Sequence, residues 1–329
     1  MSQSERLIFP VGTQIVTQKE VRSSNNLLIH PAGAVGTVIR SPVDRHHAYR
    51  ILFADGHESA LHHDQLIPLR QFHSTPAREV ASHVDRSSDS DTQGSVVNGE
   101  IMTGGLYERV IYRCVIGSRA YGLDDTSSDT DRRGVYLPRA NDHWSLYGVP
   151  EQLECEETQE AYWELQKFIG LALKANPNVL ECLYSPLVET STQLAEELIS
   201  IRQCFLSKLI FQTYSGYVAS QFKKMQTDIR NQGRVKPKHV MHLIRLLISG
   251  TQVLREETLH LDVGPHRESL LSIKRGEMSF SDADAWRKEL QRQFEAAFSQ
   301  TQLPERPDYE KANAFLIRAR KLATQESLP

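Results

Sequence analysis

An α+β fold is the expectation, and three observations carry it. Short β-type runs separated by turn residues fill positions 10 to 70. A strand, loop and strand followed by an amphipathic stretch lie between 107 and 176. Nearly everything beyond 191 has helical periodicity. With 329 residues, 40% hydrophobic and 24% charged, the chain has the composition of an ordinary globular protein with room for several cores.

The first region contains the runs Thr13 to Thr17, Val35 to Arg40 and Tyr49 to Phe53, punctuated at Pro31-Ala32-Gly33, Ser41-Pro42 and Asp55-Gly56. Strands at this spacing predict a small barrel over 1–72. The pair "PAGAVGTVIRSP" and "YRILFADGHESALHHDQL" resembles SH3-like modules of the KOW or Tudor kind. Residues 73–103, with "DRSSDSDTQGSVVNGE" at their centre, have too few large apolar side chains to bury a core, and they predict a flexible linker that lets the barrel move freely.

The segment 104–190 reads as α/β material. Its β-runs are Val110 to Ile116 and Gly134 to Leu137, followed by the acidic "EQLECEETQE". Leu165, Phe168, Ile169, Ala172 and Leu173 recur at helical spacing until Asn176-Pro177 stops the helix. Over 191–329 the helical stretches are "QLAEELISIRQCFLSKLIFQTYSGYVASQFKKMQ", "KPKHVMHLIRLLISGTQVLREE" and "SFSDADAWRKELQRQFEAAFS", with Pro and Gly at the breaks.

No apolar run approaches the roughly 18 residues of a spanning helix, and "MSQSERLIFP" lacks a signal-peptide layout, so no membrane partner and a cytoplasmic location are expected. Four widely spaced cysteines, Cys114, Cys155, Cys182 and Cys204, fit neither a disulfide framework nor a zinc ribbon. A net charge of −3 argues against indiscriminate polyanion binding and leaves room for a local basic patch.

The chemistry concentrates in "CVIGSRAYGLDDTSSDTDRRGVYL", residues 114 to 137. In a strand, side chains at i and i+2 share a face, so Asp129 and Asp131 can present two carboxylates roughly 6 to 7 Å apart at Cα. Hard oxygen ligands of this kind suit magnesium shared with phosphate oxygens. Gly117 behind the first strand lets the backbone approach a phosphate, and Ser118 adds a hydroxyl and, if a helix starts there, free amides. A lone Asp-x-Asp is usually a solvated turn. The strand before it, the Gly-Ser pair and the β-run after it favour a site. Lys238, His242 and Arg245, spaced i, i+4, i+7, form one helical face: either a clamp for the triphosphate or an acceptor phosphate, or a solvated surface.

Gly-Ser followed by Asp-x-Asp resembles the hG[GS]…Dh[DE] signature of the DNA polymerase β-like nucleotidyltransferases. The fuller "GSRAYGLDDTSSDTDRRGVYL" with "YWELQKFIGLALKANPNVLECLYSP" is similar to the bacterial and phage, RlaP-like branch associated with RNA repair. The resemblance implies a small mixed sheet with flanking helices and a helical C-terminal cap. It also implies two Mg2+ ions, with Mn2+ as a substitute, and transfer of a nucleoside monophosphate from a nucleoside triphosphate, ATP first, to an RNA end or another hydroxyl. Asp129 and Asp131 would be metal ligands and catalytic residues. A third carboxylate from a neighbouring strand completes the family's set, with Glu160 expected and Glu156 or Glu157 as alternatives.

Two other functions stay open: a protein AMP-transferase of the toxin-neutralising kind, and a non-catalytic nucleotide-binding or interaction module. Orientation of Glu160 away from the aspartates favours the module, whereas a long basic groove favours an RNA acceptor. The N-terminal module, with Arg40, Arg45, Arg50 and several histidines, is a candidate surface for RNA or a protein partner.

Overall fold

The computed structural model describes residues 8–23, 26–42, 47–72, 105–126 and 128–325. The expected linker over 73–103 and Arg45 lie outside the described residues.

The N-terminal region folds as β1 (Gln14–Thr17), β2 (Val21–Arg22), β3 (Leu28–His30), β4 (Val35–Arg40), β5 (Tyr49–Phe53), β6 (Glu58–Leu61), β7 (Leu66–Pro68) and the single turn α1 (Leu69–Phe72). The main sheet is antiparallel in the order β6-β5-β4-β1-β7, with β2 and β3 paired beside it. The expected barrel is therefore corrected to an open sheet, because the edge strands β6 and β7 do not pair with each other. One face buries Ile15, Val38, Tyr49, Ile51 and Phe53 in a core of its own, while Val16 and Val35 on the other meet Leu69.

This module is docked on the C-terminal helices. Gln14 donates to Gly216 O at 2.8 Å, and Arg306 to Phe72 O at 3.1 Å. Buried Arg287 donates to the carbonyls of Ala54 and Asp55, and the Nδ1 of His30 lies 3.0 Å from Glu295. Backbone carbonyls buried away from water need such donors, so the contacts fix an orientation that the freely moving arrangement lacks.

The second sheet contains β8 (Val110–Ile116), β9 (Asp131–Tyr136), β10 (Gln152–Cys155), β11 (Glu160–Glu164) and β12 (Val188–Ser191) in the order β10-β11-β9-β8-β12. Only the β9–β11 pairing is parallel among these strands. Gly134 permits close approach of β8, since a Cβ there would lie 1.9 Å from Tyr112 O.

After β9 comes α2 (Ala140–Trp144). Then α3 (Leu165–Ala172) and α4 (Pro177–Tyr184) cover one face of the sheet. Glu164 caps α3 by accepting from Gln166 N at 2.8 Å, and Asn176 caps α4 with Pro177 in its first turn. Asn176-Pro177 thus ends one helix and begins the next. The stripe Leu165, Phe168, Ile169 and Ala172 is buried, each full-sized side chain contributing about 1.5 to 3 kcal/mol of transfer free energy.

The remaining helices are α5 (Gln193–Ser200), α6 (Leu209–Gln232), α7 (Pro237–Glu256), α8 (Arg267–Lys274), α9 (Phe280–Gln300) and α10 (Tyr309–Gln325). Long helices α6 and α7 form a hairpin turned at Gly233, which takes the left-handed conformation that stops α6. No helix among the described residues is long and apolar enough to cross a membrane.

Candidate active site

The rim of the second sheet brings the Gly-Ser turn against the aspartate segment. Ile116, the last residue of β8, is in register with Asp131, the first residue of β9. Gly117 then turns with φ +75°, and a Cβ there would fall 2.5 Å from Asp131 Oδ2. A side chain in that place would collide with the carboxylate in a backbone conformation that only glycine adopts freely. Residues 117–123 make a short turn, and no helix starts at Ser118; the turn is closed by Tyr121 N to Gly117 O at 3.1 Å and Leu123 N to Ser118 O at 2.8 Å.

Strand parity sorts the acids. Opposed residues in a sheet pair project to the same face. Arg133 and Ala161 are partners across β9 and β11, and they share the Asp131 face with Val135, Trp163, Cys114 and Ile116. Glu160 is the partner of Arg132 and faces the other way, towards Tyr162 and Tyr136. Arg132 Nε lies 4.0 Å from Glu160 and 2.9 Å from Glu189. The side chain expected to supply the third acid is therefore engaged on the opposite face, and on β11 the Asp131 face begins with Ala161, which has no ligand atom. Glu156 and Glu157 are exposed in the turn between β10 and β11.

Asp129 is exposed in the loop two residues before β9 rather than on the strand itself. Arg133 Nη2 lies 3.6 Å from Asp131 Oδ1, and its Nη1 donates to Gln159 O at 2.9 Å, linking the aspartate to the start of β11. Two carboxylates suit one magnesium ion, which completes its shell with phosphate oxygens and water. Among the described residues no group of three His, Cys, Asp or Glu side chains is placed to hold a metal. Asp131 and the neighbouring Asp129 have the oxygen chemistry that magnesium takes, and they fall short of a three-donor site.

The face Lys238, His242, Arg245 is graded in depth. Lys238 is exposed in the first turn of α7, His242 is half-buried, and Arg245 is buried. Arg245 Nη1 pairs with Glu181 Oε1 at 2.6 Å, its guanidinium stacks 3.9 Å from the Tyr121 ring centroid, and Tyr121 donates its hydroxyl to the other Glu181 oxygen. Burial lowers the Arg245 pKa, but Glu181 and Tyr121 outweigh it and hold the group charged. Arg245 thus differs from the expected phosphate clamp: its charge is taken up inside the protein. His242 is pushed down to about 4, by burial first and then by Arg245, Lys224 and Lys238, so it is neutral near pH 7.

Sequence reading missed the supports of this turn. Tyr121 looks like part of a simple turn, yet it joins α4 and α7 through Glu181 and Arg245. Val263 N donates to Tyr121 O at 3.2 Å, Arg267 donates to Gly122 O at 2.7 Å, and Lys274 pairs with Asp125 at 2.7 Å. The buried-range spacing of Glu181 within "NPNVLECL" was the available signal, since an acid on an otherwise apolar helix face demands a partner.

A family model described as RlaP, RNA repair pathway DNA polymerase beta family, matches residues 77–318. The chain is also similar to an uncharacterized protein of Bacillus subtilis strain 168, YcgL, at 34% identity over 84 residues, covering 24% of this chain and 32% of that relative. It thus spans about a third of the relative's length. The family match, by contrast, takes in both the Gly-Ser turn with its aspartates and the helices that support it. The chain belongs to the RlaP family, a DNA polymerase beta family of the RNA repair pathway.

Proposed function

We propose that the protein transfers a nucleoside monophosphate from a nucleoside triphosphate, ATP first, to the hydroxyl of an RNA end, in the cytoplasm. The observation that carries this reading is the contact between the Gly117 backbone and the Asp131 carboxylate. It supports the reading because it sets an acid of cation-binding chemistry against the Gly-Ser turn. The acceptor oxygen bonds to the α-phosphorus, the bond to the β-phosphate oxygen breaks, and pyrophosphate leaves. Gly117 and Ser118 receive the triphosphate, with Lys238 at the exposed end of the α7 face as a phosphate contact. Asp129 and Asp131 hold Mg2+, or Mn2+ in its place. The ion supplies charge neutralisation on the phosphates. Arg133 steadies Asp131, and the Tyr121, Glu181 and Arg245 network holds the turn from beneath. Arg40 and Arg50, exposed cross-strand partners on β4 and β5, are the N-terminal module's contribution to an RNA or protein partner.

A second reading, a nucleotide-binding module without transfer, is favoured by the orientation of Glu160 away from Asp131. Purified protein incubated with Mg2+, each α-labelled nucleoside triphosphate and either total RNA or protein extract separates them. Label on RNA supports the proposal, and label on protein moves the acceptor to a protein hydroxyl. Nucleotide binding without any transfer supports the module.

A further inference from the structure

The turn of the α6–α7 hairpin concentrates positive charge as no other described region does. Lys223, Lys224, Arg230, Arg234, Lys236 and Lys238 fall within 16 residues, in a chain whose net charge is −3. All six are exposed. The single acid among them, Asp228, is buried, where it accepts from His239 Nδ1 at 2.6 Å and Lys236 N at 3.2 Å, tying the end of α6 to the start of α7. None of the six cations makes an ion pair within 4.0 Å among the described residues. Natural surfaces usually intersperse both signs, and crowding like charges is unfavourable unless a polyanion neutralises them.

The patch also shares a helix with a support of the candidate site. Along α7, Lys238 precedes Arg245 by seven residues, about 10 Å of helix, and Arg245 contacts Tyr121 in the turn that begins at Gly117. Its exposed side chains are polar or charged apart from Ile229 and Pro237, which suits a phosphate backbone better than a lipid surface. We propose that this hairpin turn binds the phosphate backbone of the RNA acceptor, tracking the strand away from the nucleotide site. The proposal rests on the nucleotidyl-transfer reading for its choice of RNA as the polyanion.

A labelled single-stranded RNA of about 20 nucleotides, titrated with full-length protein in EDTA and without nucleotide, tests it. Each phosphate contact on single strands contributes about −0.7 to the slope of log affinity against log salt. The triple variant Arg230→Gln, Arg234→Gln, Lys236→Gln is expected to lose at least about 10-fold in affinity at 0.1 M salt and to shallow the slope by about 2. The charge-preserving variant Arg230→Lys, Arg234→Lys, Lys236→Arg is expected to keep both. All three side chains are exposed, so thermal midpoints should stay within about 2 °C.

Equal affinity and slope in wild type and Gln variant would overturn the proposal. So would binding to phosphatidylserine vesicles with none to RNA. Because no nucleotide is present, a protein that binds RNA through these residues but transfers nothing keeps this proposal and loses the transfer reading. A protein that transfers label to RNA with an unaffected triple variant does the reverse.

Discussion

The two faces of β9 carry similar residues to opposite ends. On one, Arg132 sits between Glu160 and Glu189, and the charges satisfy one another. On the other, Asp131 lies against the bare backbone of Gly117, and among the described residues its ion pair is a 3.6 Å contact with Arg133. Adjacent residues of one strand thus make a structural ion cluster and a candidate site, and the pleat alone decides which acid belongs to which. Counting acids near a motif does not find a metal site. Assigning each to a face does.

The sharpest way to break this comparison is Asp131→Ala. Loss of an electrostatic group at the reacting centre is expected to cost about 10³-fold in nucleotidyl transfer, measured with labelled nucleotide, while unfolding curves barely move. Stability responds next. Glu181→Ala strands the buried Arg245 charge, and about 3 to 5 kcal/mol should be lost in urea unfolding, with Glu181→Gln losing less because it keeps a hydrogen bond to Tyr121 or Arg245.

The pH dependence of stability follows from His242. Its folded pKa of about 4 lies below the ordinary 6.5, so as pH falls the unfolded chain takes up the proton first. Its contribution is full above pH 6.5 and is lost down to pH 4, by about 3 kcal/mol. Urea midpoints at pH 7, 5 and 4 for wild type and His242→Gln check this, the variant losing less. Gly117→Ala comes next, with about 1 to 3 kcal/mol of strain and weaker triphosphate binding in a titration. Smallest is Glu160→Gln, which removes a charge from the other face and should leave transfer within about 3-fold. A loss near that of Asp131→Ala would overturn the assignment of the two acids to different roles.

Much of this fold is legible from periodicity. The Leu165 to Ala172 stripe and the long C-terminal helices announce themselves, and the Gly-Ser and aspartate segment marks the site because a glycine, a strand end and an acid lie within two dozen residues. What stays hidden depends on register. Whether Glu160 shares a face with Asp131 turns on a one-residue phase in β11, which no local pattern determines, and β9 begins at Asp131 where the β-run in sequence begins at Gly134. Arg245 resembles a surface cation on a helical face until Glu181, 64 residues away, is found beside it. Likewise, strand spacing shows neither that the N-terminal edge strands β6 and β7 stay unpaired nor that the module docks on α6 and α9.

The most direct test is a parallel assay of wild type, Asp131→Ala and Glu160→Gln with α-labelled nucleoside triphosphates, Mg2+ and an RNA acceptor. The account predicts label on RNA with wild type and Glu160→Gln and none above background with Asp131→Ala. Transfer that survives Asp131→Ala, or disappears with Glu160→Gln, would contradict it.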